Sequence, residues 1–146
     1  MNKFKSVFGP LVKHLPKYKA PGTPGLVLTK PLNPEAVIST EDQKTYRMGV
    51  GMLLYLVKYT RPDLANATRE LSKHMKEASP SAYKEFLRTI KYVCDTNEYG
   101  LKLAPTDFLK YSVKGELDWN LHVYTDSDWA GDKDNRKSVT GYILFV

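Results

Sequence analysis

The stretch TEDQKTYRMGVGMLLYLVKY, residues 40 to 59, decides how the rest of the chain can pack. Tyr46, Val50, Leu53, Leu54 and Val57 recur at helical spacing, and Met48, Met52, Leu56 and Tyr59 supply a second apolar face. A helix apolar on both sides is expected inside a bundle. Thr40, followed three residues later by Gln43, has the form of a capping box, in which each side chain satisfies a backbone N–H at the helix start. Gly49 and Gly51 cost helix propensity, so they read as points of close backbone approach or a mild kink. A phosphate-binding glycine loop would need a preceding strand and a third glycine, and neither is visible.

Upstream, MNKFKSVFGPLVKHL places Phe4, Val7, Phe8, Leu11 and Leu15 at helical spacing, and no acid precedes Glu35. The segment has no arginine, and Gly9-Pro10 interrupts it, which argues against a targeting presequence and predicts a short helix stopping at Gly9. Residues 16 to 34 are rich in proline and glycine around Leu26-Val27-Leu28, an extended connector with room for one edge strand.

Downstream, Thr60-Arg61-Pro62-Asp63 is a start signal: Thr60 as cap, Pro62 in the first turn, Asp63 at the positive end of the dipole. The second helix is predicted to run to about Glu77 with Leu64, Ala67, Leu71, Met75 and Ala78 inward. Ser79-Pro80 opens a third helix to about Asp95, with Tyr83, Phe86, Leu87, Ile90, Val93 and Cys94 inward. Arg69, Lys73 and Lys76 on the second helix, and Lys84, Arg88 and Lys91 on the third, repeat at spacings of four and three. Two such rows can follow a nucleic-acid backbone, because lysine and arginine displace its counterions. The interspersed Glu70, Glu77 and Glu85 suit a solvated face equally well.

Tyr99 to Ala104 and Leu109 to Val113 alternate as short strands joined by the turn-prone residues 104 to 107. Trp119, Leu121 and Val123 alternate with polar residues in a half-buried strand ending at Asp126, and Ser138 to Val146 forms a second strand, apolar on both faces. Between them Asp126, Asp128, Asp132 and Asp134 surround Gly131, and carboxylates at a strand end can hold a divalent metal. A calcium loop fails: Ala130 stands where an oxygen ligand is required and Lys137 where a bidentate glutamate is required.

A hydrophobic fraction of 42% in 146 residues suffices for a packed core. No apolar run approaches the roughly 20 residues that span a bilayer, and the single Cys94 offers no disulfide or metal cluster and suits a reducing compartment. The net charge of +6 is uneven. Residues 1 to 44 hold seven lysines against three acids, residues 45 to 117 twelve basic against eight acidic, and residues 118 to 146 three basic against five aspartates. A polyanion held by the basic body beside a cation held by the acidic end would produce this pattern.

Tyr46-Arg47-Met48-Gly49-Val50-Gly51 with Leu53-Leu54-Tyr55-Leu56, then Thr60-Arg61-Pro62-Asp63-Leu64-Ala65, resembles the region just after the polymerase palm in copia-type LTR retrotransposon Pol polyproteins. Tyr124-Thr125-Asp126-Ser127-Asp128-Trp129-Ala130-Gly131-Asp132, followed by Ser138-Val139-Thr140-Gly141-Tyr142, is similar to the opening of the same family's ribonuclease H domain. The resemblance implies an α+β chain with four parts. Residues 1-37 are a short helix and connector, 38-98 a three-helix thumb-like bundle, 99-117 connection strands, and 118-146 the first two strands of a truncated ribonuclease-H-like sheet.

It also implies a parent reverse transcriptase with ribonuclease H, intracellular, in cytoplasmic particles or the nucleus, binding an RNA-DNA hybrid or duplex and no membrane. The family's paired aspartates for polymerisation have no counterpart here. Ribonuclease H holds Mg2+ with several carboxylates, of which Asp126 alone carries over, while Asp128 stays a turn residue. The isolated chain is therefore expected to hold no magnesium, to be inactive and to bind nucleic acid through Arg69, Lys73, Lys76, Lys84, Arg88 or Lys91. The exposed edge of Val139 to Val146 would favour self-association. The alternative is a stand-alone basic helical nucleic-acid-binding module with no catalytic role.

Overall fold

A computed structural model describes residues 2–29, 37–101, 122–127, 136–138 and 140–145. The chain is α+β and forms two compact units, Met1–Leu101 and Lys102–Val146. The described part of the first holds four helices: α1 (Asn2–Val12), α2 (Thr40–Tyr59), α3 (Ala65–Ser72) and α4 (Pro80–Asp95), with a 3-10 turn at Pro62–Leu64.

α1 does not stop at Gly9 but continues through Pro10 to Val12. A proline inside a helix costs about 3 kcal/mol. Phe8 and Val12, buried on either side of Pro10, each return roughly 1.5–3 kcal/mol, so packing outweighs the break. After α1 no strand forms over 16–29. The connector is instead held on α4: Thr23 Oγ1 donates to Glu85 Oε2 at 2.9 Å, and Thr89 Oγ1 to the Pro21 carbonyl at 3.0 Å.

α2 is capped one residue before the expected cap. Ser39 Oγ accepts from the Asp42 N–H at 3.1 Å and donates to Asp42 Oδ2 at 2.7 Å. Gln43 is thereby released from capping. Its amide donates to the Met75 carbonyl and accepts from the Ala78 N–H, both at 2.9 Å, and Arg47 donates to the carbonyls of Met75 and Lys76 at 2.8 Å. These four bonds hold the turn that follows α3, which ends at Ser72 and not near Glu77.

One face of α2 is buried, through Tyr46, Gly49, Val50, Leu53 and Leu56. Of the second face expected to be buried, Leu56 is buried and Met52 partly so, but Met48 and Tyr59 point outward, as do Leu54 and Tyr55. At the buried centre the Phe86 ring packs on Tyr46 (centroids 5.1 Å apart) and on Phe8 (6.2 Å). Gly49 is where Phe86 enters. A Cβ there would collide with the Phe86 ring and lie 3.2 Å from Phe8 Cζ, so the close approach is of a side chain and not a backbone. Gly51 has open space, with nothing within 4 Å of the corresponding position. The Tyr46 hydroxyl, its pKa raised by burial, donates to the Leu71 carbonyl at 2.7 Å and joins α2 to α3.

Thr60 ends α2 rather than capping the next helix: the N–H groups of Thr60 and Arg61 both donate to the Leu56 carbonyl. Arg61, 1% exposed, donates to both Asp63 carboxylate oxygens (2.9 and 2.8 Å) and to the Thr96 carbonyl and hydroxyl (2.9 Å each). Its guanidinium also lies 5.7 Å from the Tyr92 ring centroid and 5.6 Å from that of Tyr99. One side chain thus ties together the ends of α2 and α4 and the start of the 3-10 turn. α4 begins as expected, with Ser79 accepting from the Ala82 N–H, and Cys94 is buried.

Residues 99 to 101 form no strand; the Leu101 N–H donates to the Thr60 carbonyl at 3.1 Å. The strand expectations at 102–104, Leu109 to Val113 and Trp119 to Leu121 lie outside the described residues. In the second unit β1 (His122–Ser127) pairs antiparallel with β2 (Thr140–Phe145), Asp126 opposite Gly141. The described side chains of both strands are exposed, not half-buried: alternation along a strand sorts residues between faces, but a face is buried only when another layer covers it.

Two consequences can be measured by urea denaturation. Gly49→Ala is expected to destabilise by about 1–3 kcal/mol through overpacking against Phe86, whereas Gly51→Ala is expected to stabilise by about 0.5–1 kcal/mol through helix propensity alone. The Arg61 hydrogen bonds hold the Asp63 carboxyl below its ordinary range. A lowered carboxylate adds stability above the unfolded value of about 3.9 and loses it as pH falls through the folded value. The wild type is therefore expected to lose more stability than Asp63→Asn between neutral pH and acid; equal losses would reject the pairing.

Candidate nucleic-acid interface

The six basic residues expected to follow a phosphate backbone do not form two equivalent free rows. Arg69 Nη2 lies 2.7 Å from Glu70 Oε1, and Lys73 Nζ 3.1 Å from the same carboxylate. Lys91 pairs with Asp95 at 3.0 Å. Arg88 stacks over the Tyr18 ring, 4.3 Å from its centroid, with Nε 3.9 Å from Glu85. Lys76 and Lys84 are exposed, and among the described residues neither amine has an ion-pair partner. Because α3 ends at Ser72, Lys73 and Lys76 stand in the following turn, which Arg47 fastens to α2.

A second surface escaped the periodicity argument. The outward face of α2 carries Lys44, Met48, Gly51, Tyr55, Lys58 and Tyr59, all exposed, Tyr55 at 65%. The Tyr55 and Tyr59 rings pack with centroids 4.7 Å apart, and Lys58 Nζ lies 5.2 Å from the Tyr59 centroid. No acid occurs from Gln43 to Pro62. The surface thus offers aromatic faces, outward amines and, at Gly51, a place where an external backbone can come close without meeting a side chain. Such a set can contact sugars through the rings and phosphates through the amines. The signal that could have found it was present: a helix with no acid beyond Asp42 and two tyrosines one turn apart.

Asp126 lies in β1 opposite Gly141, its side chain exposed. Among the described residues no three His, Cys, Asp or Glu side chains gather as a metal would require; Asp128, Asp132 and Asp134 lie outside them. A single carboxylate does not fit a pair of magnesium ions. Among the described residues no helix is long and apolar enough to cross a membrane.

The chain is 38% identical over 105 residues to the retrovirus-related Pol polyprotein from transposon RE2 of Arabidopsis thaliana, covering 72% of this chain and 6% of that protein. It is 35% identical over 125 residues to the corresponding polyprotein from transposon RE1 of the same plant, covering 82% of this chain and 8% of that one. It is also 35% identical over 99 residues to secreted RxLR effector protein 161 of Plasmopara viticola, covering 68% of this chain and 63% of that protein. No family model matches, and no solved structure matches significantly. The chain thus spans less than a tenth of the length of either polyprotein, and it belongs to the retrovirus-related Pol polyproteins of copia-type transposons.

Proposed function

We propose that the helical unit is the thumb-like part of a reverse transcriptase, that β1 and β2 open a ribonuclease-H-like sheet, and that the chain contacts an RNA-DNA hybrid without cutting it. The observation that carries this reading is the outward face of α2. An exposed helix face with two tyrosines, two lysines, an open glycine and no acid is costly to leave against water and complementary to a polyanion whose sugars are partly apolar. Lys76 and Lys84 add outward positive charge on the same unit. Asp126 supports the second part of the reading through its place on β1, preceded by Tyr124 and Thr125 and paired with Gly141. In the parent enzyme magnesium would supply the cation-assisted cleavage of the RNA strand, and Asp126 would contribute one carboxylate to it.

Binding of the full chain to a short RNA-DNA hybrid, followed by fluorescence anisotropy across a salt series, tests the interface. Affinity is expected to fall linearly on a log-log plot, with Lys44→Gln and Lys58→Gln each lowering the slope by about 1. Tyr55→Ala is expected to weaken binding with the slope unchanged. Gly51→Ala separates function from folding: it is expected to raise stability while weakening the complex. Binding insensitive to salt, or unaffected at both Tyr55 and Gly51, would reject α2 as the contact face. With magnesium present the chain alone is expected to leave the hybrid intact, and cleavage that disappears in Asp126→Asn would refute that expectation.

A further inference from the structure

A further group of outward lysines in the helical unit lies neither on α2 nor on the α3 and α4 rows. The sequence has no acid before Glu35. Lys3, Lys5, Lys13, Lys17 and Lys19 are all exposed, and among the described residues none of their amines takes part in an ion pair. This contrasts with Arg69, Lys73 and Lys91, each held by a neighbouring carboxylate.

Helical geometry sorts the side chains of α1. Phe4, Phe8 and Val12 fall on one face and are 3%, 1% and 1% exposed. Lys3, Ser6 and Pro10 fall on the opposite face, with Lys13 just past the helix end continuing the line at steps of three and four. Lys3 and Lys13 are ten residues apart, about 15 Å along the axis. Beyond them the chain turns, the Leu15 N–H donating to the Val12 carbonyl at 3.0 Å. Tyr18 is then pinned under the Arg88 guanidinium with Lys17 and Lys19 exposed on either side of it in sequence. Glu85 holds the next segment through Thr23. The lysines therefore stand on a fastened support.

We propose that the outward face of α1 and its exit turn, carrying Lys3, Lys13, Lys17 and Lys19, is a second contact surface for a nucleic-acid sugar-phosphate backbone, separate from the α2 face. It rests on the nucleic-acid reading above. An anionic membrane is the other polyanion that a basic amphipathic helix meets, but such helices bind by burying their apolar side among the lipids. Here that side is occupied: Phe8 packs against Phe86, and Phe4 against Phe8 with centroids 5.0 Å apart. The outward line holds lysines with Ser6 and Pro10, and Val7, 42% exposed, is the one large apolar side chain of α1 that stands open to water; so little apolar surface suits a phosphate backbone, where each contacted phosphate releases counterions.

The test is the full chain carrying Lys13→Gln, Lys17→Gln and Lys19→Gln together, with an unchanged denaturation midpoint as the folding control. Against the RNA-DNA hybrid the salt slope is expected to fall by about 2 to 3 relative to wild type. An unchanged slope overturns the proposal, and if Tyr55→Ala still weakens binding the α2 reading survives that failure. A reduced slope with Tyr55→Ala inert sustains the α1 surface and rejects α2, while a wild-type chain that binds no hybrid rejects both. Vesicles of phosphatidylserine and phosphatidylcholine form the other arm: lysine-dependent binding to them as tight as to the hybrid overturns the choice of nucleic acid.

Discussion

The seating of the Phe86 ring against Gly49 is the contact on which the helical unit depends. Without a side chain at Gly49, α2 and α4 approach closely enough for Phe86 to reach Tyr46 and Phe8 as well. Because that contact turns one side of α2 inward, it also turns Met48, Gly51 and Tyr55 outward. The same rotation of one helix builds the core and presents the candidate interface. Two glycines two residues apart consequently do opposite things: one admits a ring from within the fold, the other leaves space open to whatever comes from outside.

Cations divide largely by type in the same unit, Lys73 and Lys91 with their carboxylate partners being the exceptions. Arg47, Arg61, Arg69 and Arg88 each have the guanidinium engaged with carbonyls, a carboxylate or an aromatic ring. Lys3, Lys13, Lys17, Lys19, Lys76 and Lys84 are exposed. Guanidinium is planar and offers several fixed donors, so it serves where two elements must be held in register; ammonium is strongly hydrated and compact, so it stays in water. Arg61 shows the first use best, since its four donated bonds link two helix ends and the intervening turn. Reading both residue types alike as phosphate ligands therefore merges two populations with different physical roles.

Much was legible along the chain, because some signals are local. Helical periodicity located α2, α3 and α4, and Ser79-Pro80 marked the start of α4 to the residue. Alternation located the first strand of the hairpin, and an apolar run the second. Ends fared worse where two caps competed: Ser39 and Thr40 both suit the start of α2, and capping by Ser39 frees Gln43 to hold Met75 and Ala78. Pro10 misled for a similar reason, since its cost is paid locally while the burial that offsets it comes from contact with other helices.

Residue identity and spacing thus settled which segments are helix or strand, and the motifs settled the family. The packed fold alone decided which apolar residues are core, which cations are neutralised and which glycine is crowded. Periodicity states that two residues share a face of a helix, yet says nothing about what lies opposite that face. Leu53 and Tyr55 have equal claim to burial by composition, and only the packing of the neighbouring elements on α2 leaves one dry and the other in water.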